Sequence, residues 1–199
     1  MNDLLFNTIK KRRSYYSISD QSPISDEEIE EILKKCLLHV PSGYNSQSTR
    51  LVLLLHDNHK KFWEITKKIL QGIVPEDRFP LTESKMNAFA AGYGTILFYE
   101  DQIVVQNLQN QFPNYRDNFP IWSNHTSAMH QFAVWIMLED SGFGASLQHY
   151  NPLIDQIIQK EWSIDPNWKL IAEMPFGLPT KNPKEKDFLP VKDRILVFK

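Results

Sequence analysis

Four short segments carry more polar chemistry than a fold requires. Arg12-Arg13-Ser14 sets two guanidinium groups beside a hydroxyl, the donor set that a phosphate-like anion asks for. Basic residues also close helices by facing the carbonyl ends, so a plain helix C-terminus is the alternative for this tripeptide. Pro41-Ser42-Gly43-Tyr44-Asn45-Ser46-Gln47 places hydroxyls and two amides just before an apolar run. Asn45 and Gln47 can donate and accept together, as the edge of a pyrimidine or flavin requires, although the segment also has the composition of an ordinary turn.

The third segment runs from Gly144 to Tyr150, where Gly144, Ala145 and Ser146 are small enough for the backbone to approach a ligand closely. His149 within it is as compatible with a structural histidine as with a catalytic one. The fourth is Lys192-x-Arg194, a second basic pair near the C-terminus, with a solvated charge pair as its alternative. Each segment has an ordinary reading alone; the combination is what points to an anionic, planar ligand.

Other site chemistries lack their signatures. Gly142-Phe143-Gly144-Ala145-Ser146-Leu147 starts like a dinucleotide fingerprint, but the third glycine is absent and the segment follows a helical pattern rather than a strand. There is no phosphate-binding Gly-rich loop ending in Gly-Lys-Ser/Thr and no Gly-x-Ser-x-Gly elbow. His56 and His59 have no acidic or cysteine companions at metal-site spacing, and His125 and His130 fall on different faces of a helix, so no metal is expected. Cys36 lies on an apolar helical stripe, which predicts a buried, inert thiol.

The 199 residues suffice for one domain, expected to span 1–199, and 42% hydrophobic content is ordinary for a globular chain. A formal charge of −2 gives no reason to expect nucleic acid or a membrane surface as a partner. A single cysteine excludes an intrachain disulfide and suits a reducing compartment. No apolar run approaches the roughly 20 residues of a membrane span, and MNDLLFNTIKKRRS lacks the pattern of a signal peptide; cytoplasmic placement is the expectation.

The elements that must position these residues follow from periodicity. Leu4, Leu5 and Ile9 predict a first helix closed by Lys10–Arg13. Ser25 and Glu28 have capping-box spacing ahead of the stripe Ile29, Ile32, Leu33, Cys36, Leu37. Buried strands are expected at 51–55, 95–99 and 169–176, with a last one at 194–198. Helices are expected from Asn58 to about Leu70, Thr82 to about Ala91, Asp101 to about Gln111, and from Asn151-Pro152 onward. The stretch from Phe112 to Trp122, with two prolines and four aromatic residues, predicts an irregular loop. The longest helix should run from Ser123 to Ser141, burying Met129, Phe132, Ala133, Ile136 and Met137, with Gly142 ending it. Helices with scattered strands, and no regular βαβ alternation, argue α+β.

With these segments in this order, the chain resembles the nitroreductase family, and within it the short branch of Frm2-like proteins and the copper-induced bacterial nitroreductase. The resemblance runs from Arg12-Arg13-Ser14 to Arg194, and is most specific at Asn45-Ser46-Gln47, at Gln131 to Trp135 and at Gly144 to Asp155. Asn167 to Leu170 and Met174 to Gly177 fit the same branch.

The resemblance implies an α+β sandwich, a central mixed sheet flanked by helices, that dimerises and holds two FMN molecules at the interface. Carried over by position, Arg12, Arg13 and Ser14 contact the FMN phosphate, ribityl chain and pyrimidine edge, and Lys192 and Arg194 grip the phosphate. Ser42, Asn45 and Gln47 reach the FMN of the other subunit. Leu147, Gln148 and His149 form the strand whose backbone faces the flavin ring. Where other members carry an acidic residue and a glycine, this chain has His149 and Tyr150, so only backbone roles carry over there. The implied reaction is a ping-pong transfer of hydride from NAD(P)H through FMN to nitroaromatics, quinones or related small acceptors, with no side-chain nucleophile required. Phe112, Phe119 and Trp122 are candidates for the substrate wall, with a core or dimer-packing role as the alternative. The rival reading is a flavin-binding regulatory or stress-response protein with incidental reductase activity.

Overall fold

In the computed structural model, residues 3–199 are described; Met1 and Asn2, which begin the expected domain and the N-terminal segment, lie outside the described residues. The sheet is built on β5 (Trp168–Pro179), which is hydrogen-bonded along both edges. One edge pairs with β3 (Gly94–Asp101), which in turn pairs with β2 (Thr49–Leu55) at the rim. The opposite edge carries β4 (Gly144–Ala145) and, beyond it, β1 (Ile18–Ser19). All four strand ladders are antiparallel, so the parallel component of the expected mixed sheet reduces to an isolated bridge between Ser14 and Ala145.

Alternation along β3 explains the layers. Ile96 and Phe98 face one core with α2 (Asp26–His39) and α6 (Phe119–Asp140). Leu97 and Tyr99 face the other core, with α3 (His56–Gln71), α4 (Phe79–Ala90) and α7 (Asp155–Glu161). A strand buried on both faces must read as a continuous apolar run, as this one does. The remaining helices are α1 (Asp3–Lys11), which touches the end of α6 through Thr8 Oγ1 donating to Asp140 at 3.2 Å, and α5 (Gln102–Gln111), capped by the Asp101 carboxylate. No helix among the described residues is long and apolar enough to cross a membrane.

The capping box at Ser25 forms in full, with Ser25 N donating to Glu28 at 2.8 Å and Glu28 N donating to the Ser25 hydroxyl at 3.2 Å. Cys36 is buried, 3.5 Å from the Met137 sulfur, and burial pushes its thiol up to about 11. Leu37, expected on the buried stripe, is 38% exposed.

Several boundaries and one face differ from the sequence expectations. α3 starts at His56, and Asn58 instead accepts a hydrogen bond from Trp162 Nε1 at 3.0 Å. α4 starts at Phe79 with Pro80 in its first turn, ahead of Thr82. The expected loop from Phe112 to Trp122 is a 3₁₀ turn (Pro113–Asn118) followed directly by the first turn of α6. The helix expected at Asn151-Pro152 is preceded by turns and begins at Asp155. The strand expected at 194–198 does not form; a 3₁₀ turn (Val191–Asp193) precedes an irregular tail on which Leu196 is 83% and Phe198 92% exposed.

The correction to α6 has a physical cause. Its buried residues are Phe119, Ser123, Thr126, Ser127, His130, Gln131, Val134 and Leu138, whereas Met129 and Phe132 are exposed. Apolar residues lie on nearly every face of this helix, so periodicity could not choose among them. The choice falls to polar groups that need buried partners: Ser123 donates to Glu100, and His130 Nδ1 meets the Thr49 hydroxyl at 3.2 Å.

Gly177 marks where β1, β4 and β5 converge, and a Cβ there would lie 2.2 Å from the Ser19 carbonyl oxygen. Gly177→Ala must therefore displace backbone. A loss of about 3 kcal/mol in unfolding free energy, read from urea midpoints, is the expected outcome; an unchanged midpoint would show that the strand junction yields freely.

Candidate functional site

Arg12-Arg13-Ser14 follows α1 and runs beside β4: Ser14 bridges Ala145, and Tyr15 N donates to the Ala145 carbonyl at 2.9 Å. The first and third polar segments are therefore neighbours. A cleft of about 710 Å³ opens against the first of them, lined by residues 12–17 on one side and 181–186 on the other. Its lining holds five basic residues (Arg12, Arg13, Lys181, Lys184, Lys186) against one acidic residue, Glu185. Such a surface suits an anionic ligand. Arg13 donates to the Lys184 carbonyl, which ties the tail segment to the cleft wall.

Arg12 has a more enclosed setting. Its guanidinium stacks 4.3 Å from the centroid of the Trp135 ring. Burial draws its pKa below the ordinary arginine value, with the nearby Glu139 opposing that shift; burial pushes Glu139 up. Arg12 Nε, Trp135 Nε1 and Glu139 Oε2 are all buried without a hydrogen-bond partner among the described residues. A buried donor left unpaired costs about 1–3 kcal/mol, so Arg12 retains hydrogen-bonding capacity for a ligand.

Beyond β4 the chain continues as an extended strip. Ser146 N donates to the Pro175 carbonyl at 3.2 Å, and Gln148 exchanges backbone hydrogen bonds with Glu173 at 2.7 and 3.0 Å. Ser146 and Gln148 are buried, with Gln148 Nε2 donating to the Ser146 hydroxyl at 3.1 Å. Leu147 is half-buried and His149 exposed, so these two face away from the core.

The Ser42–Gln47 segment sits elsewhere. Ser42 accepts from Gln47 N at 3.0 Å, which closes the loop, and Asn45 and Gln47 are exposed. Tyr44, Asn45 and Gln47 have φ of 57°, 50° and 48°, in the left-handed region that non-glycine residues seldom occupy. The loop leads into β2, and just beyond it Ser48 and Thr49 donate to the buried Glu100 carboxyl at 2.5 and 2.6 Å, joined by Ser123 of α6 at 2.9 Å. Burial raises the Glu100 pKa while these hydroxyls oppose the rise. This cluster fixes the loop to the sheet and to α6.

β2 lies at the opposite edge of the sheet from β4, with β3 and β5 between them. Three inter-strand steps of about 4.8 Å separate the two edges by about 14 Å. Within one chain, Arg12–Ser14 and Leu147–His149 come together, while Ser42, Asn45 and Gln47 do not join them. Lys192 and Arg194 are exposed on the tail and do not line the cleft.

The aromatic candidates do cluster. Tyr44 lies 4.8 Å from Phe112, 5.4 Å from Phe119 and 5.8 Å from Trp122, nearly parallel to the last at 17°. Phe119 is buried at 3% exposure, whereas Trp122 lines an open groove of about 380 Å³ with Tyr44, His125 and Met129. Sequence reasoning missed Tyr44 as the centre of this nest, and also Trp135, Glu139 and the basic wall at 181–186. The aromatic at 44 between Gly43 and Asn45 was visible, but only its left-handed backbone brings it onto Trp122.

Residues 9–178 match the model of the nitroreductase family. HBN1 of Saccharomyces cerevisiae is 30% identical over 193 residues, covering 96% of this chain and 95% of that protein. The nitroreductase CinD from Lactococcus lactis, solved in complex with nicotinic acid, superposes with a TM-score of 0.90 at 39% identity, over 98% of this chain and 99% of that one. A structure in complex with FMN from Desulfovibrio desulfuricans shares the fold at a TM-score of 0.71 and 16% identity, over 100% of this chain and 99% of that one. An α+β sheet flanked by helices, the Arg-Arg-Ser segment beside β4 and a match over most of the length converge on one conclusion: this chain belongs to the nitroreductase family.

Proposed function

We propose that this chain is an FMN-dependent NAD(P)H oxidoreductase, acting as a homodimer on nitroaromatics, quinones or related small aromatic acceptors in alternating half-reactions. The observation that carries the reading is the basic cleft with its unpaired Arg12 Nε, joined through Ser14 and Tyr15 to Ala145, from which the backbone strip Ser146–His149 continues. A phosphate-bearing planar cofactor matches both parts: charge at one end, hydrogen-bonding backbone along the other. When bound, FMN supplies the hydride chemistry.

The chain supplies grip and orientation. Arg12, Arg13 and Ser14 hold the phosphate end, with Trp135 buttressing the Arg12 guanidinium. Leu147, Gln148 and His149 present backbone groups to the ring, and the ladder to Glu173 keeps that strip straight. Donors fixed there favour the added negative charge of a reduced ring by preorganised electrostatics. Ser42, Asn45 and Gln47 lie at the opposite edge of the sheet from Arg12–Ser14 and outside the cleft, which supports their serving the cofactor of a second copy. Exposed apolar side chains support the dimer too: Met129 and Phe132 on α6, Leu37 and Leu38 on α2, and Phe188, Leu196 and Phe198 on the tail. Lys192 and Arg194 ride on that tail and would close on the phosphate when the tail packs against the partner. The groove beside Trp122 and Tyr44 offers flat rings to an aromatic acceptor; complexes of CinD with 4-nitrophenol and chloramphenicol are consistent with such substrates. Phe112 and Phe119 brace that wall from behind.

Purified protein incubated with FMN should turn yellow and retain the cofactor through gel filtration. Anaerobic stopped-flow mixing with NADH or NADPH should bleach the flavin, and a nitroaromatic should restore it. A chain that stays colourless refutes the reading, and tight FMN binding without stimulated turnover makes it a flavin-binding regulator instead. Arg12→Ala removes a charge-assisted hydrogen bond of about 1.5–3 kcal/mol and should weaken FMN binding roughly ten- to a hundredfold by fluorescence titration; unchanged affinity would reassign Arg12 to helix termination.

A further inference from the structure

Glu173 lies in β5 on the face shared with Leu97 and Tyr99, fully buried in an apolar layer. An acid there needs an explanation, and its contacts supply one. Its backbone N and O form the two-way bridge with Gln148, and its carboxyl accepts from Tyr150 N at 2.9 Å. One residue thus holds three hydrogen bonds to the strip 148–150. Just past the strip, Asn151 Nδ2 adds a longer contact to the Leu170 carbonyl of β5 at 3.3 Å.

The second observation is a set of unpaired polar atoms around the same carboxyl. Glu173 Oε1, Tyr99 Oη, Asn151 Oδ1 and Asp155 Oδ1 are buried without a hydrogen-bond partner among the described residues. An apolar side chain at 173 would be the simpler packing solution, so the carboxyl is kept for what it holds. The strip it holds is the one whose backbone faces the cofactor under the FMN reading.

We propose that Glu173 is a positioning residue: its carboxyl, hydrogen-bonded to Tyr150 N, fixes the height and angle of the Gln148–Tyr150 backbone against the flavin ring. The proposal rests on the FMN reading for the identity of the ring; the clamp itself is a property of the chain alone. Its protonation state then matters. Burial, with the like charge of Asp155 adding to it, pushes the Glu173 carboxyl up to about 8. The groups that face it are Tyr99 from β3, Asp155 from α7 and Tyr150 from the strip. Lys169 of β5 acts on Asp155, Lys85 of α4 lies 5.7 Å from the Tyr150 ring, and α3 contributes the uncharged Trp63 against the same ring. Because the folded chain holds this proton more tightly than the ordinary 4.5, the stability Glu173 confers is complete below pH 4.5 and is lost as pH rises towards about 8.

Two substitutions test the clamp. Glu173→Gln keeps an oxygen acceptor for Tyr150 N and cannot ionise; Glu173→Leu removes the acceptor. In the apo chain, amide exchange at Tyr150 should accelerate at least tenfold in E173L relative to the core of β3 and stay near wild type in E173Q. With FMN bound, E173L should bind roughly tenfold more weakly and show altered visible circular dichroism, and E173Q should restore both. Wild type should show a change in the flavin spectrum centred near pH 8 that E173Q lacks. Unchanged exchange and an unchanged spectrum in E173L would overturn the proposal. Should E173L not fold, a pH-dependent spectral change that persists in E173Q would overturn it, and loss of that change would uphold it. A wild-type chain that binds no FMN defeats the cofactor reading alone, because the exchange comparison still decides the clamp.

Discussion

The rest of the molecule depends on β5 being hydrogen-bonded along both edges. Paired with β3 on one side, it carries β2 and the polar loop before it to one rim of the sheet. Paired with β4 on the other, it draws Gly144–His149, and with them Arg12–Ser14, to the opposite rim. Close approach at this second rim leaves little slack: a Cβ on Gly144 would lie 2.7 Å from Tyr15 Cγ, just as one on Gly177 would strike Ser19. The topology thus separates two sets of ligand-suited groups within the single chain. Under the proposed FMN reading, a second copy would bring them together.

Two buried acids and one half-buried acid mark the joints of this arrangement, and each is handled differently. Glu100 is satisfied by three hydroxyls and fastens the 42–47 loop and α6 to the end of β3. Glu173 is only partly satisfied and fastens the opposite strip. Glu139 lies near Arg12, and its Oε2 and the Arg12 Nε both lack a hydrogen-bond partner among the described residues. Burying a carboxyl costs several kcal/mol unless it is paired or neutral. For Glu100 and Glu173 that cost is set against the hydrogen bonds by which they join neighbouring elements.

Much of this was legible in the sequence because local rules apply locally. The Ser25–Glu28 box, the buried strand at 95–99, the helix following it from Asp101 and the inert Cys36 all follow from neighbours a few residues apart. The polar segments announced themselves by composition, and family order joined them. What failed depended on distant groups. The buried face of α6 is set by Glu100 and Thr49, remote in sequence, so apolar periodicity pointed to Met129 and Phe132 instead. Residues 194–198 have strand-like composition, yet within the single chain they pair with no strand and stay exposed. Glu173 and Glu139 look like ordinary charged positions until the fold encloses them.

Subunit mixing tests the two-copy site most directly. One chain carries Arg12→Ala with Arg13→Ala; the other carries Ser42→Ala, Asn45→Ala and Gln47→Ala. Each alone should bind FMN poorly, since every site in either homodimer lacks one set of groups. Dissociated and reassembled together, the mixed dimers should regain one complete site each, and FMN binding should reappear in the mixture by fluorescence titration. Failure of the mixture to bind FMN better than either parent, or tight FMN binding by a wild-type chain that remains monomeric, would contradict the account.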